Sequence, residues 1–119
     1  MSHSPQDVHK KALGKKGERL VADYLKKRGC KILKRNFRTP FGEADIIAAQ
    51  GEEILFVEVK TRTSDTFGTP REAVGKDKQR RYYKIAQFYG ALVKEEPNAR
   101  FDVAEVDGEG NIQYVENAF

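Results

Sequence analysis

The chain has 119 residues, 39% of them hydrophobic and 34% charged, with a net charge of +4 at pH 7. This length suits one small domain, and the apolar run Ile54–Val57 is far too short to cross a membrane as a helix. Because Cys30 is the single cysteine and the first ten residues are polar, the sequence excludes an internal disulfide and a thiolate metal cluster, and it predicts a cytoplasmic protein without a secretory signal.

The first half of the chain is predicted to contain a tail, a helix and strands. Residues 1–10 lack a hydrophobic period and are expected to form a mobile tail before a single domain over residues 11–119. Apolar residues at helical spacing predict a helix from about Leu13 to Arg28, where Gly29 ends it. Runs of β-branched and aliphatic residues predict strands, the first of them irregular, at Cys30–Arg38, Glu43–Gln50 and Ile54–Thr61.

The second half is predicted to contain one long helix and a hairpin. Thr69–Glu72 has the capping-box pattern, with Thr as N-cap, Pro at the first helical position and Glu at the third. The helix is expected to run to about Glu95, with an apolar stripe of Tyr82, Ile85, Ala86, Tyr89, Leu92 and Val93. A hairpin of Arg100–Val106 and Ile112–Val115 completes an α/β protein of the order α-β-β-β-α-β-β.

The register of the central hairpin brings two carboxylates together. If its loop is Gly51-Glu52 in a type II′ turn, Asp45 faces Glu58 across the two strands. Like charges at opposed positions repel, and a divalent cation between them removes the conflict. A loop of three residues would break this opposition.

The strand that carries Glu58 also carries a lysine. Alternation puts Glu58 and Lys60 on the face of Ile54 and Phe56, whereas Leu55, Val57 and Val59 point to the other face. Carboxylates suit Mg²⁺ or Mn²⁺, and a lysine beside the metal can orient the attacking water or neutralise a phosphate. Asp45, Glu58 and Lys60 therefore form a minimal set for phosphodiester hydrolysis. The alternative is a structural Glu-Lys pair with an aspartate on a sheet face, because Glu-x-Lys alone is common.

Several segments resemble a known family. The chain is similar from Gly14 onward to the YraN-like family of uncharacterised bacterial proteins, which are predicted endonucleases of the PD-(D/E)xK class. It is more distantly similar to archaeal Holliday junction resolvases. The resemblance rests on Gly17-Glu18, Gly42–Ile47, Phe56–Arg62, Ala73-Val74 and Lys78–Arg81.

This resemblance implies a restriction-endonuclease-like fold with a mixed four- or five-stranded sheet flanked by helices. It implies Asp45 and Glu58 as the ligands of Mg²⁺ or Mn²⁺, Lys60 as the catalytic lysine and Glu18 as a further site carboxylate. Ala44 stands where the class name has a proline, which costs little because the chemistry needs the carboxylate. Since junction resolvases need two sites, a homodimer is compatible with the resemblance.

Two further residues are candidates for the catalytic site. Glu18 borders the buried stripe of the first helix, and its alternatives are a favourable interaction with the helix dipole or a salt bridge. Gln79 is expected on the sheet-facing side of the second helix, and Gln79–Tyr83 resembles the Gln-x-x-x-Tyr element of RecB-type nucleases. An amphipathic edge position is the alternative for Gln79.

The distribution of charge favours a nucleic-acid partner. Residues 95–119 contain seven acidic residues and one basic residue, which leaves a net charge of +10 on residues 1–94. Such a lobe attracts polyanions. Candidate phosphate contacts are Arg62, Lys76, Lys78, Arg80, Arg81 and Lys84, with a solvated helix face as the alternative. Tyr82 and Tyr83 are either base-stacking residues or, for at least one of them, core residues.

The sequence thus predicts a metal-dependent endonuclease that acts on DNA rather than RNA, with branched or repair-intermediate DNA as a substrate class and no membrane partner. A non-catalytic nucleic-acid-binding module with the same fold is the alternative. A partner-binding scaffold without chemistry is a third class.

Overall fold

A five-stranded sheet lies between two helices in the computed structural model, which describes residues 5–62 and 74–119. The elements are α1 (Pro5–Lys27), β1 (Lys31–Thr39), β2 (Gly42–Gln50), β3 (Glu53–Thr61), α2 (Lys76–Val93), β4 (Asn98–Val106) and β5 (Ile112–Val115). This order is the one predicted from the sequence. No helix of the described part is long and apolar enough to span a membrane.

The sheet is mixed, and its strands follow the chain order from β1 to β5. β3 pairs in parallel with β4, and the other neighbouring strands are antiparallel. A parallel pair needs a crossover, which here contains α2. β3 is the middle strand, as its apolar residues on both faces predicted.

Each helix covers one face of the sheet. α1 buries Val21, Ala22 and Leu25 against a face that includes Leu55 and Val57. α2 buries its apolar side on the opposite face, in a cluster that contains Ala44, Ile47, Phe56, Tyr82, Ile85, Ala86 and Tyr89. The predicted division of β3 residues between the faces is confirmed, with Ile54 and Phe56 on the α2 side.

The β2–β3 hairpin has the predicted register up to the functional residues. Its ladder runs from the Gln50–Glu53 pair to the Ile46–Val57 pair. Gly51 has φ of +59° and Glu52 has no positive φ, as a type II′ turn requires. The next ladder hydrogen bond would join the Val59 N–H to the Ala44 carbonyl. Instead Oδ2 of Asp45 accepts from Val59 N–H at 2.8 Å, so this carboxylate lies at the point where β2 and β3 separate.

β1 is irregular, as predicted, because its register against β2 shifts between Ile32 and Lys34. α1 differs from its prediction. It begins at Pro5, within the range expected to be a tail, rather than at about Leu13. Proline suits the first position of a helix, and good helix formers extend a solvated helix without any apolar period. Residues 1–4 lie outside the described residues.

α2 differs from its prediction at its start and ends within two residues of the predicted end. The helix begins at Lys76 with Gly75 as its N-cap in extended conformation, so it does not run unbroken from the predicted capping box. Thr69–Glu72 lies outside the described residues. The helix ends at Val93, and Lys94 has a left-handed φ of +59°. Leu92 and Val93 are 57% and 41% exposed rather than part of the buried stripe, because the stripe stops where Gly90 packs closely on Pro97.

The C-terminal hairpin forms as predicted and is fixed by a buried aspartate. Asp102 is fully buried, and its carboxylate accepts hydrogen bonds from the Arg100 guanidinium, from Tyr114 Oη at 2.6 Å and from the Asn117 N–H at 2.9 Å. Asp102 shares the α1 face of β4 with Ala104 by alternation. This polar network therefore stabilises the face opposite Glu58.

Candidate active site

Asp45 lies half-buried where β2 and β3 separate. Burial, followed by the neighbouring carboxylate of Glu58, raises the pKa of Asp45 to about 8. The Val59 N–H and the charge of Lys78 act in the opposite direction, and Glu18 adds to the increase. Without an added cation, the site therefore accommodates a proton on this carboxyl group at neutral pH.

Glu58 is 5% exposed and is held by two groups from α2. Tyr82 donates its hydroxyl hydrogen to Oε2 at 2.5 Å. Lys78 donates from Nζ to Oε1. Burial and the Glu58 charge hold the pKa of Tyr82 well above its usual range, so the phenol remains a donor. Both oxygens of this buried carboxylate are thus engaged.

Glu18 reaches the site from α1. A Cβ atom at Gly17 would collide with Thr61 Cγ2, so α1 passes directly over the end of β3. Burial raises the pKa of Glu18, and the charges of Glu43 and Glu58 add to this, whereas a hydrogen bond from Asn36 lowers it. These interactions are consistent with the predicted position of Glu18 near Asp45 and Glu58.

Lys60 and Gln79 differ in their positions and contacts relative to Asp45 and Glu58. Lys60 lies half-buried on the Glu58 side of β3, has Glu105 as its neighbour on β4, and makes no ion pair within the described part of the chain. Gln79 donates from Nε2 to the Val74 carbonyl at 3.0 Å at the start of α2. Among the described residues, Gln79 has no hydrogen bond to a site carboxylate.

Sequence reasoning did not identify Lys78 and Tyr82 as partners of Glu58. It grouped Lys78 with the phosphate contacts, and it weighed Tyr82 between base stacking and the core. Tyr82 is a core residue, 1% exposed, whose hydroxyl group is used by the site. The available signal was their four-residue spacing, which puts both side chains on one side of α2.

The remaining basic candidates lie on the surface or in ion pairs. Arg62 donates from Nε to Oε1 of the buried Glu105 at 2.7 Å, so part of its charge is neutralised within the fold. Arg80 pairs with Asp77 at 3.1 Å, and Nζ of Lys84 lies 5.6 Å from the ring centre of Phe41. Of the predicted phosphate contacts on α2, those with exposed positions are Lys76, Arg80, Arg81 and Lys84.

The site residues fit one hard divalent cation. No group of three or more His, Cys, Asp or Glu side chains in residues 5–62 and 74–119 is arranged to hold an ion. Asp45 and Glu58 nevertheless offer two carboxylates, whose repulsion raises the pKa of Asp45 and is partly offset by the charge of Lys78. Mg²⁺ commonly binds through one or two carboxylates together with waters and substrate phosphates. The donor set therefore suits Mg²⁺ or Mn²⁺ without a full protein cage.

Comparison with known sequences places the chain in a family. The sequence model of the uncharacterised protein family UPF0102 matches residues 17–106. A UPF0102 protein of Thermodesulfovibrio yellowstonii is 50% identical over 107 residues, which cover 90% of this chain and 95% of the relative. Another, of Alkaliphilus metalliredigens, is 47% identical over 114 residues, with 92% and 98% covered. The chain therefore belongs to the uncharacterised family UPF0102, which confirms the YraN-like resemblance.

A solved structure is similar in fold. Hjc of Archaeoglobus fulgidus, a Holliday junction resolvase, matches with a TM-score of 0.56 and 22% identity, over 83% of this chain and 72% of that protein. At this identity the likeness shows the fold alone. It confirms the predicted restriction-endonuclease-like architecture.

Proposed function

We propose that this UPF0102 protein is a metal-dependent DNA endonuclease that hydrolyses phosphodiester bonds. The observation that carries the proposal is the pair of Asp45, which is half-buried, and Glu58, which is buried, because their two carboxylates repel each other. Such a pair is unfavourable without a cation and is stabilised when a divalent cation binds. Structural ion pairs have no need of two mutually repelling carboxylates.

Each residue of the site has a defined role in this proposal. Asp45 and Glu58 hold Mg²⁺ or Mn²⁺, and Glu18 adds negative charge from α1. When bound, the cation neutralises a phosphate oxygen and lowers the pKa of a bound water. Lys60 would orient the attacking water, which loses one proton to solvent as its oxygen forms the new bond to phosphorus. The bond to the leaving 3′ oxygen breaks, and this oxygen then takes up a proton from solvent.

The substrate class rests on charge and on the shared fold. Residues 1–94 carry a net charge of +10, and the exposed basic residues on α2 supply contacts to the phosphate backbone without reading sequence. The structural relative is a Holliday junction resolvase. We therefore propose branched or repair-intermediate DNA as the substrate, with DNA preferred over RNA, and a homodimer as the form that presents two sites.

A non-catalytic nucleic-acid-binding module is the second candidate. The observation in its favour is that both oxygens of Glu58 are engaged by Lys78 and Tyr82. If these contacts persist in the presence of metal, Glu58 is a structural residue and the basic surface alone has a function.

A cleavage assay separates the two candidates. Linear, nicked, flapped and four-way-junction DNA is incubated with the wild type and with Asp45→Asn, Glu58→Ala and Lys60→Met, each with Mg²⁺, Mn²⁺ or Ca²⁺. We expect Mn²⁺ to support cleavage at least as well as Mg²⁺, Ca²⁺ to support binding with little cleavage, and all three variants to lose turnover. Glu52→Ala, an exposed change in the same hairpin, is the matched control and should cleave normally.

Two outcomes contradict the nuclease proposal. Cleavage that survives Glu58→Ala points to a different site or to a contaminating nuclease. No cleavage of any substrate by a folded wild type in excess metal favours the binding module.

A further inference from the structure

We propose that Lys78 is the resident counter-cation of Glu58, which a divalent metal ion displaces and which then becomes a contact for the DNA phosphate. The inference rests on the proposed function, because it takes Glu58 as a metal ligand. It adds a device that couples metal binding to DNA binding at the same site.

The contact between Lys78 and Glu58 joins an accessible group to a buried one. The Lys78 side chain is 42% exposed and the Glu58 side chain 7% exposed, with Nζ of the lysine on Oε1 of the carboxylate. When Lys78 leaves, its ammonium group returns to water at little cost. Glu58 without a cation would keep a buried charge that is only partly compensated. Departure of Lys78 is therefore favourable only when another cation takes its place.

Tyr82 keeps Glu58 in position during this exchange. Its hydroxyl group donates to Oε2 at 2.5 Å, and the tyrosine is 1% exposed. The two partners of Glu58 thus differ, one fixed in the core and one at the surface. Only the surface partner can be exchanged without repacking the core.

Lys78 also interacts with Asp45, the second proposed metal ligand. Its charge stabilises the ionised form of Asp45, and its Nζ donates to Oε1 of Glu58. Both proposed metal ligands therefore interact with one ammonium group. A divalent ion placed between them makes the same two interactions with twice the charge, and Lys78 is then repelled from the site.

The freed lysine has a suitable place on the surface. Lys78, Arg81, Tyr82 and Glu43 line a small pocket, with a volume of about 50 Å³, between α2 and the start of β2. Arg81 beside it is exposed, whereas Arg80 pairs with Asp77. A phosphate approaching the carboxylates from this side meets Lys78 and Arg81 together.

The first test measures metal binding alone. Mn²⁺ or Mg²⁺ is titrated into the wild type, Lys78→Met and Lys78→Arg by calorimetry, and thermal melts with the same ions provide a second readout. Removing the competing ammonium should lower the dissociation constant about tenfold, within the usual range of coupling between linked sites. Lys78→Arg keeps the charge and should stay near the wild type. Lys26→Met removes an exposed lysine at the end of α1, outside the proposed site, and should leave the metal affinity unchanged.

The second test measures DNA binding with and without Ca²⁺. In EDTA, Lys78→Met should bind junction DNA like the wild type, because Lys78 is engaged on Glu58. In Ca²⁺ the variant should bind more weakly, and its plot of log K against log salt should be shallower by about 0.9, the value of one phosphate contact. Should Lys78→Met fail to fold, Lys78→Gln gives the same neutral comparison.

The outcomes distinguish this inference from the proposed function. Equal metal affinities in the wild type and Lys78→Met, with binding still lost in Glu58→Gln, overturn the role of Lys78 and leave the metal site intact. A metal response that appears only in Lys78→Met supports the role of Lys78. No metal binding by any folded variant overturns both the metal site and the exchange.

Discussion

At the scale of single residues, the unusual feature is the pair of neighbouring carboxylates of Glu58, which is buried, and Asp45, which is half-buried. Glu58 is 5% exposed, and burial with the charge of Glu58 raises the pKa of Asp45 to about 8. Groups with strongly shifted pKa values are concentrated at functional sites, and structural ion-pair networks shift pKa values as well. The Asp45–Glu58 pair is therefore the candidate functional site on which the tests below are centred.

The raised pKa of Asp45 predicts how stability depends on pH in the absence of metal. In the unfolded chain Asp45 loses its proton near pH 4, whereas in the folded protein it does so near pH 8. Between these values the folded state binds the extra proton, so the free energy of unfolding falls as pH rises through this window. Asp45→Asn, measured by urea unfolding in EDTA at pH 5, 7 and 9, should flatten this slope and be more stable than the wild type at pH 9. Parallel curves for the two proteins would contradict the assignment.

Tyr82 provides a second test at this scale. Tyr82→Phe keeps the ring in the core but removes the hydrogen bond to Oε2 of Glu58, which leaves a buried acceptor without that donor. The free energy of unfolding should fall by about 1–3 kcal/mol. The matched control is Tyr83→Phe, since Tyr83 is 43% exposed and should tolerate the change. An equal decrease in the free energy of unfolding in both variants would show that the hydrogen bond to Glu58 contributes no more than an exposed tyrosine hydroxyl group does.

The sequence predicted the carboxylates but not their partners, for a physical reason. Asp45 and Glu58 lie on one hairpin, and a two-residue turn fixes which residues of its strands are near each other. Lys78 and Tyr82 come from α2, whose position over β3 depends on packing between distant segments. Residue spacing shows that they share a side of the helix, but it does not show which strand residue they meet.

At the scale of elements, hydrophobic patterns identified each strand and both helices. The boundaries were less accurate where propensity and capping compete. α1 continues to Pro5 without apolar periodicity, and α2 begins only after Gly75, although Thr69–Glu72 has a good capping pattern. Local signals of this kind state where a helix can begin, but they do not fix its first residue.

The C-terminal hairpin carries the prediction that belongs to this scale. Asp102→Asn removes the charge that receives Arg100, Tyr114 and the Asn117 N–H. Breaking a buried pair of this kind typically costs about 3–5 kcal/mol, which urea unfolding can measure. Gln113→Ala, an exposed change in β5, should have little effect. A loss of metal binding in folded Asp102→Asn would contradict the placement of this network on the face opposite the site.

At the scale of the whole molecule, some of the charges counted along the sequence are paired within the fold. The buried acidic residues Asp102 and Glu105 pair with Arg100 and Arg62. These charges are therefore largely compensated inside the fold. Of these four residues only Arg62 belongs to residues 1–94, so the exposed basic residues of α1, β1 and α2 keep most of the positive charge counted there.

The basic surface of α2 predicts the salt dependence of DNA binding. The double change Arg80→Glu and Lys84→Glu should weaken binding to all sequences alike and reduce the slope of log K against log salt by nearly 0.9 per lost phosphate contact. Fluorescence anisotropy with labelled junction DNA in EDTA measures this. Lys26→Glu with Lys27→Glu, exposed residues at the end of α1, is the control of equal charge. If the control weakens binding as much as the α2 variant, net charge rather than α2 determines affinity.

The central claim is that one divalent cation binds between Asp45 and Glu58. Calorimetric titration of Mn²⁺ into the folded, metal-free protein tests it most directly, with Asp45→Asn and Glu58→Gln measured alongside and circular dichroism to confirm folding. The account predicts one bound Mn²⁺ per chain in the wild type and loss of that binding in both variants. Binding of the same strength in either variant, or no binding by the folded wild type and by Lys78→Met, would contradict it.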